Sequence, residues 1–115
     1  MSASKRKGTA FESAVVEFLR THGFPHAERR ALRGVRDCGD VAGVIGWTLE
    51  LKNHRAMDLG TWATEAEKEA MNDHGYRWAI VHKRRQRNVR DAYVTLPLWL
   101  FAALLADEVE GRTVA

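Results

Sequence analysis

The pattern of apolar and polar positions is clearest in residues 39–52, where strand-favouring side chains dominate. Gly43 and Gly46 bracket a turn within this segment. The pattern therefore predicts two short strands that fold back on each other, with the turn centred near Ile45. We expect the rest of the chain to be arranged around this hairpin.

The remaining elements are predicted from the spacing of apolar residues and from helix caps and turn residues. They are a helix over 8–22, an edge strand over 26–31, a helix from 58 or 61 to before 75, a strand over 76–83, a short strand over 92–95 and a helix from 97 to about 108. The 76–83 strand is apolar on both faces, as in the centre of a sheet. Because a helix connects the hairpin to this strand, we expect a parallel crossover between the two. The expected fold class is therefore α/β, with a mixed central sheet flanked by helices.

The last predicted helix is apolar on nearly all of its sides. A helix of this kind has to be covered all round. The cover is either the core of its own domain or a second copy of the chain, and the sequence leaves both alternatives open.

Composition and charge narrow the class of protein. The chain is 45% hydrophobic and 29% charged, which is typical of globular proteins and argues against wholesale disorder. Up to residue 90 there are 17 Lys and Arg against 11 Asp and Glu, whereas residues 91–115 hold one Arg and four acids. Such basic clusters suit a polyanion, most commonly nucleic acid, although solvated loops are the alternative. The three clusters are Lys5, Arg6 and Lys7; Arg29, Arg30, Arg33 and Arg36; and Lys83, Arg84, Arg85, Arg87 and Arg90.

Length and cysteine content set further limits. The 115 residues suffice for one core, so we expect a single domain over residues 8–115, preceded by a flexible basic arm over residues 1–7. Cys38 is the only cysteine, which excludes an intrachain disulfide and a cysteine-based zinc site. No secretory signal and no apolar run of transmembrane length are present, so we expect a cytoplasmic location and no membrane partner.

Three charged residues of the hairpin form the candidate chemical site. A turn midway between Asp40 and Glu50 places them opposite each other, about 4.5–5.5 Å apart at Cβ. Side chains alternate along a strand, so Lys52 shares a face with Glu50 while Leu49 and Leu51 point into the core. Two carboxylates and an ammonium then converge where oxygen ligands suit Mg²⁺. The alternative is a solvated ion-pair cluster that contributes little to stability.

A further acid, Glu12, lies on the first predicted helix. Thr9 and Glu12 have the three-residue spacing of a capping box. Glu12 is therefore either a cap of its own helix or a member of the same site.

Together, Glu12, the pair Gly39-Asp40 and the triplet Glu50-Leu51-Lys52 resemble the signature of the PD-(D/E)xK nuclease superfamily. Gly39 stands where the name of the motif has proline. The predicted order of helix, three strands, helix and strand is similar to the αβββαβ core of that superfamily, the restriction-endonuclease-like fold. The small size, the helical glutamate and the basic loops look most like archaeal-type and phage Holliday junction resolvases, over about residues 7–83.

This resemblance implies a DNA endonuclease that depends on Mg²⁺ or Mn²⁺. Asp40, Glu50 and the backbone carbonyl of Leu51 would bind the metal, and Glu12 would act through a water ligand of the metal or through a second metal. Lys52 would orient the attacking water or stabilise the negative charge on phosphorus. The implied substrate is branched DNA, in particular a four-way junction, which a homodimer would cut by paired symmetric nicks that leave 5′-phosphate and 3′-hydroxyl ends. The basic clusters would contact its phosphates.

Two other classes of function stay open. One is a different endonuclease on the same core, of a repair or restriction-like kind. The other is a DNA-binding module with an inactive nuclease fold, against which the intact set of two acids and a lysine argues. A histidine metalloenzyme of the HExxH type is excluded because that motif does not occur in the chain.

Overall fold

The computed structural model describes residues 2–30 and 38–114, so the basic loop that contains Arg33 and Arg36 lies outside the described residues. Its elements, in chain order, are α1 (Ala3–Arg20), β1 (Glu28–Arg29), β2 (Val41–Ala42), β3 (Trp47–Lys52), α2 (Leu59–Asn72), β4 (Arg77–His82), a 3-10 turn (Val89–Asp91), β5 (Tyr93–Thr95) and α3 (Leu98–Val114).

The main sheet has three strands in the order β3, β4, β5. β3 and β4 are parallel, with Glu50 beside Ile80, and β5 runs antiparallel to β4. Because α2 connects β3 to β4, the predicted parallel crossover is confirmed, as is the central position of β4. The chain is thus an α/β protein with a mixed sheet and a separate antiparallel pair of strands.

The predicted hairpin is only partly present. β2 is two residues long and pairs with β1 rather than forming a ladder with β3. The two arms nevertheless meet, since the Asp40 N–H donates to the carbonyl of Leu49 at 2.8 Å. Gly43 and Gly46 have φ of +90° and +83°, so the chain turns within a few residues and leaves no length for a ladder. The hairpin ladder was therefore predicted wrongly, but the close approach of its two ends was not.

Two apolar clusters cover the two faces of the sheet. Alternate residues of a strand point to opposite faces, so β4 contributes to both clusters, whereas the apolar side chains of β3 belong to the cluster under α1. The cluster under α1 contains Phe11, Val15, Val16, Leu49, Leu51 and Ala79. The cluster under α2 contains Trp62, Ala66, Ala70, Trp78 and Ile80.

Both terminal helices are longer than the sequence predicts. α1 begins at Ala3, where the Ser2 hydroxyl accepts a hydrogen bond from the N–H of Lys5 at 3.2 Å. Residues 3–7 therefore form its first turns and not a flexible arm, because Ser2 supplies the N-cap that we expected from Thr9. α3 continues to Val114, beyond the expected end near residue 108, since no proline follows to stop it. Within residues 2–30 and 38–114, no helix has the combination of length and apolar character needed to cross a membrane.

Candidate active site

The charged residues of β3 lie as the alternation predicts. Leu49 and Leu51 are buried in the cluster under α1, while Glu50 points to the α2 side and is only 4% exposed. The Lys52 ammonium lies on the same side, 3.6 Å from Glu50 Oε2. The alternative of a solvated surface cluster is wrong for this pair, because the carboxylate is buried.

Asp40 lies just before β2, at the edge of β3. Its Oδ2 accepts a hydrogen bond from the Leu51 N–H at 2.7 Å. Burial raises the pKa of Asp40 to about 7, and the nearby charges of Glu50 and Glu12 add to this rise. The Leu51 hydrogen bond and the Lys52 charge act in the opposite direction but do not compensate. The two acids are therefore near enough to repel each other.

The backbone of Leu51 faces the same edge. The N–H and C=O of one residue in an extended strand point to the same side, so a residue whose N–H reaches Asp40 also directs its carbonyl there. The carbonyl of Leu49 confirms this pattern, since it accepts the N–H of Asp40. Two carboxylates and one carbonyl oxygen are thus directed to the same edge of β3.

Glu12 forms the opposite wall from α1. Because α1 begins at Ala3, Glu12 lies in the middle of the helix, and the interpretation of Glu12 as a helix cap is wrong. Its Oε1 accepts hydrogen bonds from Arg29, at 3.2 Å from Nε and 3.1 Å from Nη2. Arg29, expected to contact DNA, is therefore paired with a site acid in this structure.

Two acids of α2 that were not predicted as site residues line the same cleft. Glu65 Oε2 lies 3.1 Å from the Lys52 ammonium, and Glu69 is buried. Burial lowers the pKa of Lys52, but the Glu65 hydrogen bond and the Glu50 charge raise it, and the net effect is a pKa above 10.5. The four-residue spacing of Glu65 and Glu69 places both on the same side of α2 as Ala66, but this spacing alone does not show that they face Lys52.

These residues line one cleft of about 590 Å³ between α1, β3 and α2. The segment that follows β3 forms part of its wall and was not singled out from the sequence. The lining residues are Lys7, Gly8, Glu12, Asp40, Glu50, Leu51, Lys52, Asn53, His54, Arg55, Glu65 and Glu69.

Two of the basic clusters reach the rim of the cleft. Asn53 links them, since its side-chain N–H donates to the carbonyl of Lys7 at 3.2 Å and its oxygen accepts from Arg85 at 2.9 Å. The other described residues expected to contact DNA do not line the cleft. The Lys83 ammonium lies over Phe11, the Arg84 guanidinium lies over Tyr93, Arg87 pairs with Asp91, and Lys5, Arg6 and Arg30 are exposed.

The donor set suits a hard divalent cation. Among the residues described, no three His, Cys, Asp or Glu side chains are grouped closely enough to bind a metal by themselves. Mg²⁺, however, is commonly held by one or two carboxylates and keeps several waters. Asp40 and Glu50 meet that requirement, and a cation would offset both the burial and the repulsion by Glu50 that raise the pKa of Asp40.

No family model, no curated protein and no solved structure matches the chain, so the comparisons identify no relative.

Proposed function

We propose that the chain is a metal-dependent DNA endonuclease of the PD-(D/E)xK type, with a restriction-endonuclease-like core. The observation that carries this proposal is the convergence of Asp40, Glu50 and Lys52 on one cleft, with Glu12 on its opposite wall. The parallel pairing of β3 with β4 through α2 supports the proposed core.

Asp40, Glu50 and the carbonyl of Leu51 would hold Mg²⁺ or Mn²⁺, and Glu12 would support it through a water ligand or a second ion. When bound, the cation would offset the charge of the phosphodiester and lower the pKa of a coordinated water. The carboxyl of Asp40, whose pKa is about 7, would be fully charged once the cation is next to it.

Lys52 would meet the charge that develops on the phosphate. Its ammonium is fixed between Glu50 and Glu65, at 3.6 and 3.1 Å, so little reorganisation is needed when that charge appears. A lysine is a compact point charge that does not compete for the metal. Lys52 would orient the attacking water or stabilise phosphorus-bound oxygen, and in-line attack would leave 5′-phosphate and 3′-hydroxyl ends.

The substrate we propose is branched DNA, with a four-way junction as its main form, in the cytoplasm of a bacterial, archaeal or phage-infected cell. Lys7, Arg55 and Arg85 lie at or near the cleft and would follow phosphates, which positions a protein without reading sequence. Paired symmetric nicks require two active sites, which a two-fold homodimer supplies.

The test is Mg²⁺-dependent cleavage of a synthetic four-way junction beside flap, nicked and plain duplex DNA, with mapping of the cut positions. We expect Asp40→Asn, Glu50→Gln and Lys52→Met to bind the junction as the wild type does but to cut it on the order of 100-fold more slowly or worse. Glu28→Gln removes an exposed carboxylate outside the cleft and serves as the matched control, with unchanged cutting.

Each other outcome assigns the chain differently. Cutting of plain duplex as fast as the junction would indicate a repair or restriction-like endonuclease. Binding without any cutting in Mg²⁺ or Mn²⁺ would indicate an inactive DNA-binding module. A variant at Asp40, Glu50 or Lys52 that cuts at the wild-type rate would remove that residue from the site.

A further inference from the structure

The surface of α3 is apolar on more than one side. Residues 98–106 contain no charged side chain, and within this stretch Leu100 is fully buried at 2% exposure. An amphipathic helix would bury its apolar stripe and expose a polar face, whereas α3 leaves large apolar side chains in solvent. The exposed side chains are Leu98, Trp99, Phe101, Leu104, Leu105 and Val109.

The apolar surface continues from α3 onto the neighbouring elements. Tyr76, before β4, packs against Trp99, with the rings tilted and their centroids 5.7 Å apart. Met71 on α2 and Val94 on β5 are exposed as well. We call the six exposed side chains of α3, together with these three residues, the α3 patch.

The size of the α3 patch is that of a stable interface. Its exposed fractions amount to about five whole large side chains, or about 800 Å² at roughly 150–200 Å² each. The largest apolar patch on an ordinary monomer is about 300–600 Å². A standard protein interface buries about 800 Å² on each partner, so two copies of the α3 patch would bury the area that a stable dimer needs.

We infer that the α3 patch is a homodimer interface in which two copies of α3 pack antiparallel about a two-fold axis. The charges next to the patch favour a second copy over another partner. The Arg77 guanidinium lies 5.1 Å from the Tyr76 ring, at the N-terminal end of α3, while the C-terminal half of α3 carries the acidic run Asp107, Glu108 and Glu110.

An antiparallel pair brings these opposite charges together. With the axis between residues 103 and 104, Trp99 lies opposite the partner subunit's Glu108. Each Arg77 then approaches the acidic run of the other copy at both ends of the pair. The same patch is thus complementary to itself, as a two-fold interface requires.

The interface also fits the proposed function, on which this one step rests. None of the described side chains of α3 lines the cleft, so both clefts would stay open in the dimer. Two clefts fixed by one two-fold axis are what paired symmetric nicks require. The dimer itself does not depend on cleavage.

The first test is sedimentation velocity on the full chain without DNA or metal. We expect the wild type to be a dimer at micromolar concentration and Leu104→Glu and Phe101→Glu to be monomers. Ile45→Glu is the matched control, because Ile45 is 95% exposed in the turn before β3 and lies outside the α3 patch, so this variant stays a dimer. Circular dichroism establishes that each variant is folded.

The second test determines whether the two α3 helices are antiparallel or parallel, by cysteine cross-linking in a Cys38→Ser background. Leu104→Cys lies next to the proposed axis, so the introduced cysteine is expected to form a disulfide with the same cysteine of the other subunit under mild oxidation. Val109→Cys lies about five residues farther along, roughly 8 Å at the helical rise, and is expected not to do so. Cross-linking at both positions would indicate parallel helices and overturn the antiparallel pair.

Other results would overturn the interface itself. A monomeric wild type, or a dimer that persists in both glutamate variants, contradicts it. A monomer that co-sediments with phosphatidylcholine–phosphatidylglycerol vesicles would indicate a lipid surface instead of a second copy. A dimer that cuts no DNA would support the interface and overturn the proposed endonuclease. A monomer that nicks junctions would support the endonuclease and overturn the interface.

Discussion

Asp40 accepts a hydrogen bond from the backbone of Leu51, and yet its pKa is raised to about 7. Burial has the largest effect, and the charge of Glu50 adds to it. A cation placed between the two carboxylates would reverse both effects, because it stabilises their charged forms. The repulsion between Asp40 and Glu50 therefore has a consequence for stability as well as for metal binding.

The raised pKa of Asp40 predicts that the metal-free chain loses stability as the pH rises. The folded chain binds this proton more tightly than the unfolded chain, so the stabilisation is fully present below pH 3.8 and is lost as the pH rises through about 7. A pKa change of this size contributes at most about 4 kcal/mol to the free energy of unfolding. The free energy of unfolding, measured with urea between pH 5 and 8, should fall over this range.

The control for this prediction is Asp40→Asn, which stays neutral and still offers an oxygen to the Leu51 N–H. Its free energy of unfolding should fall less between pH 5 and 8. Added Mg²⁺ should stabilise the wild type at pH 8 and have little effect on Asp40→Asn. An identical pH dependence in the two proteins would show that Asp40 titrates normally.

Lys52 is oriented by an acid from another element. Glu65 Oε2 lies 3.1 Å from the Lys52 ammonium, closer than Glu50 at 3.6 Å. Glu65 is about half exposed, so the pair is worth at most about 1 kcal/mol. In the proposed mechanism Glu65 would therefore be a positioning residue, which holds the Lys52 ammonium in place.

Replacing Glu65 should therefore have a small but specific effect. We expect Glu65→Gln to lower kcat of junction cleavage by about fivefold with little change in KM. Because Glu65 raises the pKa of Lys52, the loss of rate at alkaline pH should begin at a lower pH in the variant. Glu67→Gln, on the same helix but outside the cleft, should change neither quantity. An unchanged pH–rate profile in Glu65→Gln would mean that Glu65 does not act through Lys52.

At the scale of elements, β3 and β4 could be predicted from the sequence because β3 alternates between its two faces and β4 is apolar on both. Leu49 and Leu51 are buried on one side and Glu50 on the other, as their spacing requires. The crossover through α2 followed, since two neighbouring strands joined by a helix are parallel. These three elements fix Glu50 and Lys52 relative to α2.

Other elements depend on contacts that the local pattern does not contain. β2 is two residues long, and which strand it pairs with is decided by the close approach of Gly43 to the backbone of His26. A Cβ at Gly43 would overlap the His26 carbonyl, so this glycine is required by tertiary packing. The N-terminus of α1 was missed because Thr9 and Glu12 have the spacing of a capping box, whereas the cap that forms is Ser2.

The site was predictable in its β3 half and not in its α2 half. Glu50 and Lys52 follow from alternation, but Glu65 reaches Lys52 only because of the way α2 packs across the sheet. The pairing of Arg29 with Glu12 likewise joins β1 to α1, 17 positions apart along the chain. Such contacts are set by the packing of elements, so sequence periodicity does not contain them.

For the whole molecule, charge and apolar surface are separated. The basic residues next to the cleft, Lys7, Arg55 and Arg85, lie on the side of α1 and β3, whereas α3 carries the apolar patch and the acidic run. A polyanion would therefore approach the cleft side, and its affinity should depend on salt.

The last prediction concerns this salt dependence. Each phosphate contact releases counterions, so losing one should reduce the slope of log K against log salt concentration by about 1. We expect Arg85→Gln to weaken binding to junctions of every sequence equally and to reduce the slope by that amount. Arg85 is suited to such a contact because Asn53 holds it at the rim of the cleft. Lys68→Gln removes the same charge from an exposed position on α2 that does not line the cleft, and should leave the slope unchanged. Equal slopes for the wild type and Arg85→Gln, measured by fluorescence anisotropy from 50 to 200 mM salt, would place the DNA on another surface.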